Sequence, residues 1–104
     1  MDINKLFNID GKIALITGGS RGIGEMIAAG FLANGVKVYI TARKEAPLIE
    51  KAKELSEKFN GECIPIPCDL SNMEGIQKLA SDYLDHEDSL DILVNNAGAA
   101  WGEP

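Results

Sequence analysis

The sequence predicts a doubly wound α/β domain, in which helices cover both faces of a parallel sheet. Short apolar runs alternate strictly with amphipathic helical patterns, and these runs are hydrophobic on both faces, as in strands buried in a parallel sheet. A glycine-rich turn joins the first run to the first helix. The chain has 104 residues, 45% of them hydrophobic and 25% charged, and no repeat or linker divides it. Residues 1–104 are therefore interpreted as one globular unit.

The first part of the chain predicts a strand, a helix and a second strand. Ile13–Ile16 is the first strand, because this apolar run follows an Asp-Gly turn. The apolar residues of the helix stand at helical spacing, and they are Ile23, Ile27, Ala28, Phe31 and Leu32. Asn34 and Gly35 end the helix, since both residue types tolerate the left-handed conformation. The second strand, Val36–Thr41, begins directly afterwards.

A second helix and an edge strand follow. Pro47 suits a first helical turn, and the helix closes at Asn60-Gly61. Its apolar stripe lies opposite glutamates and lysines and consists of Leu48, Ala52, Leu55 and Phe59. The third strand, Glu62–Cys68, contains Pro65 and Pro67. Prolines two residues apart remove backbone donors on the same side, so this strand is predicted at an edge of the sheet.

The last predicted elements are a third helix and a fourth strand. Ser71 is predicted to cap the helix in a capping box with Glu74. The apolar face of the helix consists of Ile76, Leu79, Ala80, Tyr83 and Leu84. The fourth strand is Ile92–Val94. The order is βαβαβαβ, and right-handed crossovers place these strands in the spatial order 3-2-1-4 of a Rossmann fold.

This strand order leaves the fourth strand at the second edge of the sheet. The strand is apolar on both faces, and natural proteins rarely leave such an edge bare. We therefore expect the chain to be the amino-terminal part of a longer protein. Expressed alone, it is expected to aggregate or to bind a hydrophobic dye.

Charge and terminal patterns disfavour several classes of partner. Ten basic and sixteen acidic residues give a formal net charge of −6, which disfavours nucleic acid and anionic membrane surfaces. The apolar runs are too short to cross a bilayer. The amino-terminal residues lack the basic segment followed by an apolar stretch that is typical of a signal peptide. Cys63 and Cys68 lack the spacing of zinc or redox motifs, so they are interpreted as reduced packing thiols and no metal site is predicted. These features predict a cytoplasmic protein.

The turn after the first strand has the pattern of a phosphate-binding loop. Gly18, Gly22 and Gly24 permit a sharp turn and a close approach of the backbone to a ligand at the positive end of a helix. This context predicts a dinucleotide with its pyrophosphate at the helix start. An ATP or GTP loop is excluded, because Glu25-Met26 stand where Lys and Ser or Thr are required. Glycines that serve only helix packing are the structural alternative.

Two motifs resemble the short-chain dehydrogenase/reductase family. Thr17–Gly24 reads T-G-x-x-x-G-x-G, and Leu93–Gly98 reads L-V-N-N-A-G at the end of the fourth strand. An Asp69-Leu70 pair ends the third strand between them, and the resemblance covers the whole chain. It implies hydride transfer between a nicotinamide and a carbonyl or alcohol carbon.

The resemblance also implies which residues hold the cofactor. Those around the pyrophosphate are Gly18, Ser20, Gly22, Ile23 and Gly24. Those bordering the ribose and the nicotinamide are Asn96, Ala97 and Gly98. Asp69 would bind the adenine with Leu70 beside the ring, whereas Asn95 would brace the sheet. The structural alternatives are that Asp69 is only a turn residue and that Asn95-Asn96 only begin a loop.

The end of the second strand predicts NADP(H) rather than NAD(H). An NAD site usually has an Asp or Glu about 20 residues after the glycines, which binds the ribose 2′-hydroxyl. Here the stretch is Thr41–Lys44, and Arg21 and Arg43 match the positions that hold the 2′-phosphate of NADP in similar family members. The alternative is that Arg21 and Arg43 are only solvated surface residues. Glu45 nearby would weaken the preference for NADP(H) over NAD(H).

No catalytic residue is assigned in this chain. The family uses a Ser, a Tyr and a Lys four residues after the Tyr, whereas Tyr39 is followed by Arg43 at that distance and Tyr83 by Glu87. The resemblance therefore implies the cofactor-binding half of an NADP(H)-dependent oxidoreductase, most similar to 3-oxoacyl-carrier-protein reductases. Its substrate would be a small carbonyl or alcohol compound, and the complete protein would be a homo-oligomer. The alternative is a truncated nucleotide-binding module, and the 104 residues alone are expected to be inactive.

Overall fold

The computed structural model describes residues 8–96, which form a four-stranded parallel sheet and three helices. The strands are β1 (Ile13–Thr17), β2 (Lys37–Ala42), β3 (Cys63–Pro67) and β4 (Ile92–Asn95). The helices are α1 (Gly22–Ala33), α2 (Glu45–Phe59) and α3 (Met73–Leu84). The strand order is β3-β2-β1-β4, and all three pairs are parallel. The predicted fold and strand order are confirmed, and each strand end lies within one residue of its predicted position.

The sheet separates two apolar clusters. The cluster beneath α1 and α2 is built around Ile16, Val38 and Ile40, which are fully buried. The cluster beneath α3 contains Leu15 and Tyr39 from the neighbouring strand positions. Successive strand residues point to opposite faces, so strands that are covered on both sides need the continuous apolar runs seen in the sequence.

The outer edge of β3 is closed by its prolines and by α2. Among the described strands β3 pairs only with β2, as its prolines predict. Pro65 and Pro67 have no N–H to offer a further strand. The N–H of Cys63 donates to Ser56 Oγ at 2.9 Å, and that hydroxyl donates to the carbonyl of Cys63 at 3.2 Å. Strand addition at this edge is therefore disfavoured.

β4, at the other edge, is poorly covered in the described part of the chain. Leu93 is 62% exposed, although its partner in the register, Leu15, is buried in the α3 cluster. Ile92 and Val94 point to the other face and are partly buried against the α1 cluster. The exposed apolar strand agrees with the sequence analysis, and the aggregation expected of the isolated chain stays a prediction. No helix in residues 8–96 is long and apolar enough to span a bilayer.

Asn72, and not Ser71, caps α3. Its side-chain oxygen accepts a hydrogen bond from the N–H of Gly75 at 2.7 Å. The predicted cap at Ser71 is wrong because both Ser71 N and Ser71 Oγ donate to Asp69 Oδ1 instead. The helix ends at Gly35 and Asn60 are left-handed as predicted, with φ of +81° and 50°.

Lys37, Tyr39 and Glu87 form a polar cluster at the amino end of β2, at the opposite end of the sheet from the glycine turn. Glu87 Oε2 accepts a hydrogen bond from the Tyr39 hydroxyl and lies 2.6 Å from Lys37 Nζ. Hydrogen bonds from Lys37 and from Tyr39 hold the pKa of Glu87 below its ordinary value. Burial, and then the bond to Glu87, raise the pKa of Tyr39, so the phenol stays protonated. The cluster ties the loop after α3 to β2.

Glu87→Gln is expected to lower the free energy of unfolding by about 1–2 kcal/mol near neutral pH, because hydrogen bonds to a charged group, worth about 1.5–3 kcal/mol, are replaced by neutral ones worth about 0.5–1.5 kcal/mol. A carboxylate with a lowered pKa stabilises the fold above its unfolded pKa, and this stabilisation is lost as the pH falls through the folded value. The difference between wild type and variant, measured by urea denaturation, should therefore shrink between about pH 7 and about pH 3. Glu57→Gln, at an exposed position on α2, is the control. An equal difference at both pH values would contradict the assignment.

Candidate nucleotide-binding site

A cavity of about 1040 Å³ opens at the carboxyl ends of β1, β2 and β3 and extends along α3 toward β4. Six residues predicted to bind the cofactor line it, and they are Gly18, Ser20, Arg21, Arg43, Asp69 and Leu70. In the order β3-β2-β1-β4, the strand order reverses between β1 and β4. Ligands of doubly wound sheets bind outside the carboxyl ends of the strands at such a reversal. The cavity thus lies where the fold class places a ligand.

The glycine turn adopts the geometry of a phosphate loop. Gly18 and Gly22 have φ of +67° and +61°, which side chains rarely tolerate. The N–H of Gly18 donates to the carbonyl of Thr41 at 3.0 Å and so fixes the turn to β2. Arg21 is the N-cap of α1, but its side chain makes no capping hydrogen bond. The first amides of α1 and the positive end of its dipole are therefore available to an anion.

Gly24 brings the start of α1 against the turn. A Cβ at this position would collide with the carbonyl oxygen of Gly18 and would lie 2.7 Å from Asn96 Nδ2. Gly22 and Ile23, also predicted to bind the pyrophosphate, begin α1 but do not line the cavity, and Ile23 is 67% exposed. Close helix packing is thus a real function of Gly24, and it is compatible with a phosphate-binding role.

Thr17 and Asn96 connect the glycine turn to the end of β4. Thr17 Oγ1 accepts a hydrogen bond from the N–H of Asn96 at 2.8 Å and donates to Asn95 Oδ1 at 3.2 Å. Asn96 Nδ2 donates to the carbonyl of Gly18 at 3.2 Å. Asn95 therefore contacts β1 as its predicted bracing role requires, and Asn96 braces the turn as well. Ala97 and Gly98, also predicted to bind the cofactor, lie outside the described residues.

Asp69 and two arginines provide the charges of the cavity. Hydrogen bonds from the side chain and the N–H of Ser71, aided by the nearby charge of Arg43, lower the pKa of Asp69. Both hydrogen bonds from Ser71 go to Oδ1. Asp69 therefore stabilises this turn, and its Oδ2 is still able to accept a hydrogen bond from a ligand. Arg21 and Arg43 are exposed, and neither forms an ion pair within residues 8–96. The cavity therefore offers a carboxylate beside two cations that an anionic ligand can use.

Thr41 and Cys68 also line the cavity, and neither was among the residues predicted to bind the cofactor. Thr41 belongs to β2, and Cys68 directly follows β3. Their exposed fractions are 1% and 8%. Their position at the carboxyl ends of parallel strands was the signal available in the sequence.

Both tyrosine hydroxyls of the chain donate hydrogen bonds to other groups of the protein. Tyr39 donates to Glu87, and Tyr83 donates to the carbonyl oxygen of Ser89. Burial raises the pKa of each phenol, which is the opposite of what a general acid–base catalyst near neutral pH needs. That neither tyrosine is catalytic stays a prediction.

Residues 12–104 match the family model described as short chain dehydrogenase. The chain belongs to this family. It is 49% identical over 96 residues to a rhamnolipids biosynthesis 3-oxoacyl-[acyl-carrier-protein] reductase of Pseudomonas aeruginosa, over 92% of this chain and 37% of that protein. It is also 42% identical over 91 residues to a fatty acyl-CoA reductase of Acinetobacter baylyi, over 88% of this chain and 30% of that protein. The suspected membership in the short-chain dehydrogenases is thereby confirmed.

Solved structures of family members share the fold. The RhlG/NADP active-site complex of Pseudomonas aeruginosa superposes with a TM-score of 0.82 at 44% identity, covering 91% of this chain and 39% of that one. The L-sorbose reductase of Gluconobacter frateurii, complexed with NADPH and L-sorbose, gives a TM-score of 0.83 at 40% identity, covering 88% and 35%. This short-chain dehydrogenase sequence therefore spans well under half the length of these relatives.

Asn96→Ala is expected to weaken NADPH binding by about fivefold, because the carbonyl of Gly18 loses a hydrogen-bond donor worth about 1 kcal/mol and the turn loosens. Isothermal titration calorimetry measures the effect. Asn8→Ala is the matched control, since Asn8 Oδ1 accepts from the N–H of Asp10 at the other end of the sheet. Equal NADPH affinities for the two variants would show that Asn96 does not organise the turn.

Proposed function

We propose that this chain is the NADP(H)-binding portion of an oxidoreductase that transfers hydride between the nicotinamide and a carbonyl or alcohol carbon. The observation that carries the proposal is the cavity at the strand ends, where Arg21 and Arg43 lie beside the glycine turn and form no ion pair with any residue in the range 8–96. The net charge of the chain is −6, so two unpaired arginines at one cavity mark a local anion site. Residues 1–104 form this cofactor-binding portion in the proposal.

The residues present fit the parts of NADP(H). The pyrophosphate would lie at the first turn of α1, held by amides of the glycine turn. Asp69 Oδ2 would accept a hydrogen bond from the adenine amino group, with Leu70 beside the ring. Arg21 and Arg43 would bind the 2′-phosphate. When bound, the cofactor would supply or accept the hydride, and these residues would hold and orient it.

The names of similar proteins support the cofactor and the type of substrate. RhlG was solved with NADP and the sorbose reductase with NADPH. A 3-oxoacyl thioester is the proposed substrate class, from the similarity to the 3-oxoacyl-[acyl-carrier-protein] reductase. Homo-oligomerisation and a cytoplasmic location stay predictions.

Within residues 8–96 the chain binds rather than catalyses in this proposal. Both tyrosine hydroxyls donate hydrogen bonds within the protein, the pKa of each phenol is raised, and neither tyrosine precedes a lysine at the family spacing. The 104-residue chain is therefore expected to bind NADPH without oxidising it in the presence of a ketone.

Calorimetric titration with NADPH and with NADH tests the proposal, and it uses only protein that elutes as a monomer in size-exclusion chromatography, because the isolated chain is expected to aggregate. We expect saturable binding of one NADPH per chain, with an affinity at least about a hundredfold higher than that for NADH, because the 2′-phosphate adds charge-assisted hydrogen bonds from two arginines. No binding of either nucleotide would overturn the proposed cofactor site. Binding of both with equal affinity would overturn the assignment of NADP(H).

A further inference from the structure

Two asparagines of the chain are followed directly by glycine, and both stand at the end of a helix. Asn34-Gly35 ends α1, and Asn60-Gly61 ends α2. Both asparagines are exposed. An asparagine before glycine is prone to lose ammonia, because glycine has no side chain to hinder its backbone nitrogen from reaching the neighbouring amide carbon. The two sites share this chemistry, so the structure around each decides which one reacts.

Hydrogen bonds from side chain and backbone hold Asn34 and Gly35 in place. Asn34 Nδ2 donates to the carbonyl of Gly30 at 2.7 Å. The N–H of Gly35 donates to the carbonyl of Leu32 at 3.2 Å, and the carbonyl of Gly35 accepts from the N–H of Gly11 at 3.0 Å. The amide that would be attacked and the nitrogen that would attack it are therefore both engaged. Reaction at this site requires several hydrogen bonds to break together.

Asn60 is held by its backbone alone. Its N–H and that of Gly61 both donate to the carbonyl of Ser56. The side chain of Asn60 forms no hydrogen bond with any residue in the range 8–96. Asn60 is also the only described residue other than glycine with a left-handed backbone, at φ of 50°, which is unfavourable for residues with a side chain. Opening of this helix end therefore frees the reacting groups by releasing a single carbonyl, and it relieves the backbone conformation.

We propose that Asn60-Gly61 is a site of spontaneous deamidation in the folded chain, and that its isoaspartyl product loosens the edge of the sheet at β3. Ser56 in the last turn of α2 and Cys63 at the start of β3 exchange hydrogen bonds of 2.9 and 3.2 Å across this linkage. An isoaspartyl linkage carries the backbone through the side chain, so it adds a methylene between the two residues. The pair that closes β3 against strand addition is then misaligned. None of these residues lines the cofactor cavity, so the inference is independent of the proposed function.

The reaction needs water as its only co-reactant. The backbone nitrogen of Gly61 attacks the side-chain carbonyl carbon of Asn60, and a C–N bond forms. The side-chain amide nitrogen leaves as ammonia with the proton that the glycine nitrogen gives up. Water then opens the succinimide ring, at the side-chain carbonyl to yield aspartate or at the main-chain carbonyl to yield isoaspartate. Each product carries a carboxylate in place of the amide.

Incubation of the monomeric chain in mildly alkaline buffer, followed by peptide mass spectrometry, measures both sites. Trypsin separates them, because Asn34 lies in the peptide 22–37 and Asn60 in the peptide 59–78. In the folded chain we expect Asn60 to deamidate at least about fivefold faster than Asn34, since each further hydrogen bond that must break is worth about that factor. In guanidinium chloride the two rates should become similar. Asn34 reacting as fast as Asn60 in the folded chain, or no product at Asn60 in the folded chain, would overturn the site.

Gly61→Ala tests the chemical route. The added Cβ hinders the attacking nitrogen, so deamidation of Asn60 should slow in the folded and in the denatured chain alike. This Cβ would lie 3.3 Å from Leu32 Cδ2, the end of a flexible side chain, so the fold should be kept. An unchanged rate at Asn60 would exclude the succinimide route.

Hydrogen exchange at the amide of Cys63 reports the state of the β3 edge, because this N–H donates to Ser56 Oγ. The isoaspartyl chains are separated from unmodified chains by ion exchange, since they carry an additional negative charge. We expect the Cys63 amide to exchange faster in the isoaspartyl chains. Asn60→Gly is the control, because glycine accepts the left-handed backbone and cannot deamidate, so incubation should leave its exchange unchanged. Equal exchange in isoaspartyl and unmodified chains would overturn the loosened edge.

Discussion

Replacing Arg21 and Arg43 together by alanine is expected to abolish the preference for NADPH over NADH. Each charge-assisted hydrogen bond to the 2′-phosphate contributes about 1.5–3 kcal/mol, which is about tenfold to a hundredfold in affinity. The affinity for NADPH should therefore fall by at least about a hundredfold. NADH has a 2′-hydroxyl at that position and should bind nearly as before. Calorimetric titration of both nucleotides gives the ratio.

The control for the arginine pair is the double variant Lys53→Ala and Lys58→Ala. Both lysines are exposed on α2 and do not line the cavity, and their removal changes the net charge by the same amount. This variant should keep the wild-type preference at equal ionic strength, since distant charges are screened. An unchanged NADPH-to-NADH ratio in the arginine variant would show that the two guanidinium groups are merely solvated.

Gly24→Ala is expected to destroy nucleotide binding and to destabilise the fold. The new Cβ collides with the carbonyl oxygen of Gly18, a backbone atom that cannot move without distorting the phosphate turn. Overpacking of this kind costs about 1–3 kcal/mol, and the displaced turn no longer presents its amides to the pyrophosphate. The free energy of unfolding and the dissociation constant for NADPH are the quantities to measure.

Gly30→Ala is the matched control on the same helix. A Cβ at Gly30 has no atom within 4 Å, and the residue is exposed. Alanine is a better helix former than glycine, so this variant should be stabilised by about 0.5–1 kcal/mol with unchanged affinity. Wild-type affinity in Gly24→Ala would contradict the assigned role of the turn.

The fold was predictable because its signals are local and strong. Apolar runs such as Ile13–Ile16 need burial on both faces, and Pro65 and Pro67 place β3 at an edge. Residues that favour the left-handed backbone conformation, such as Gly35, mark the ends of helices. These signals act over a few residues, so each element is predictable without its neighbours.

The predictions fail or are incomplete where contacts in the folded chain compete for the same residue. Ser71 and Asn72 are both good caps, and only the turn with Asp69 takes Ser71 out of the cap position. The bond from Asn96 to Gly18 joins residues far apart in sequence, so no local pattern announces it. Which face of the sheet each cysteine occupies likewise depends on strand register, which is why Cys68 appears in the cavity only in the folded chain.

Amide NMR spectra recorded during a titration with NADPH test the central claim most directly, which is that the carboxyl edge of the sheet binds the nucleotide. We expect chemical-shift changes concentrated at Gly18–Gly24, Arg43 and Asp69, with little change at the opposite end of the sheet around Lys37 and Glu87. Changes centred on Lys37 and Glu87, or no changes at saturating nucleotide, would contradict it.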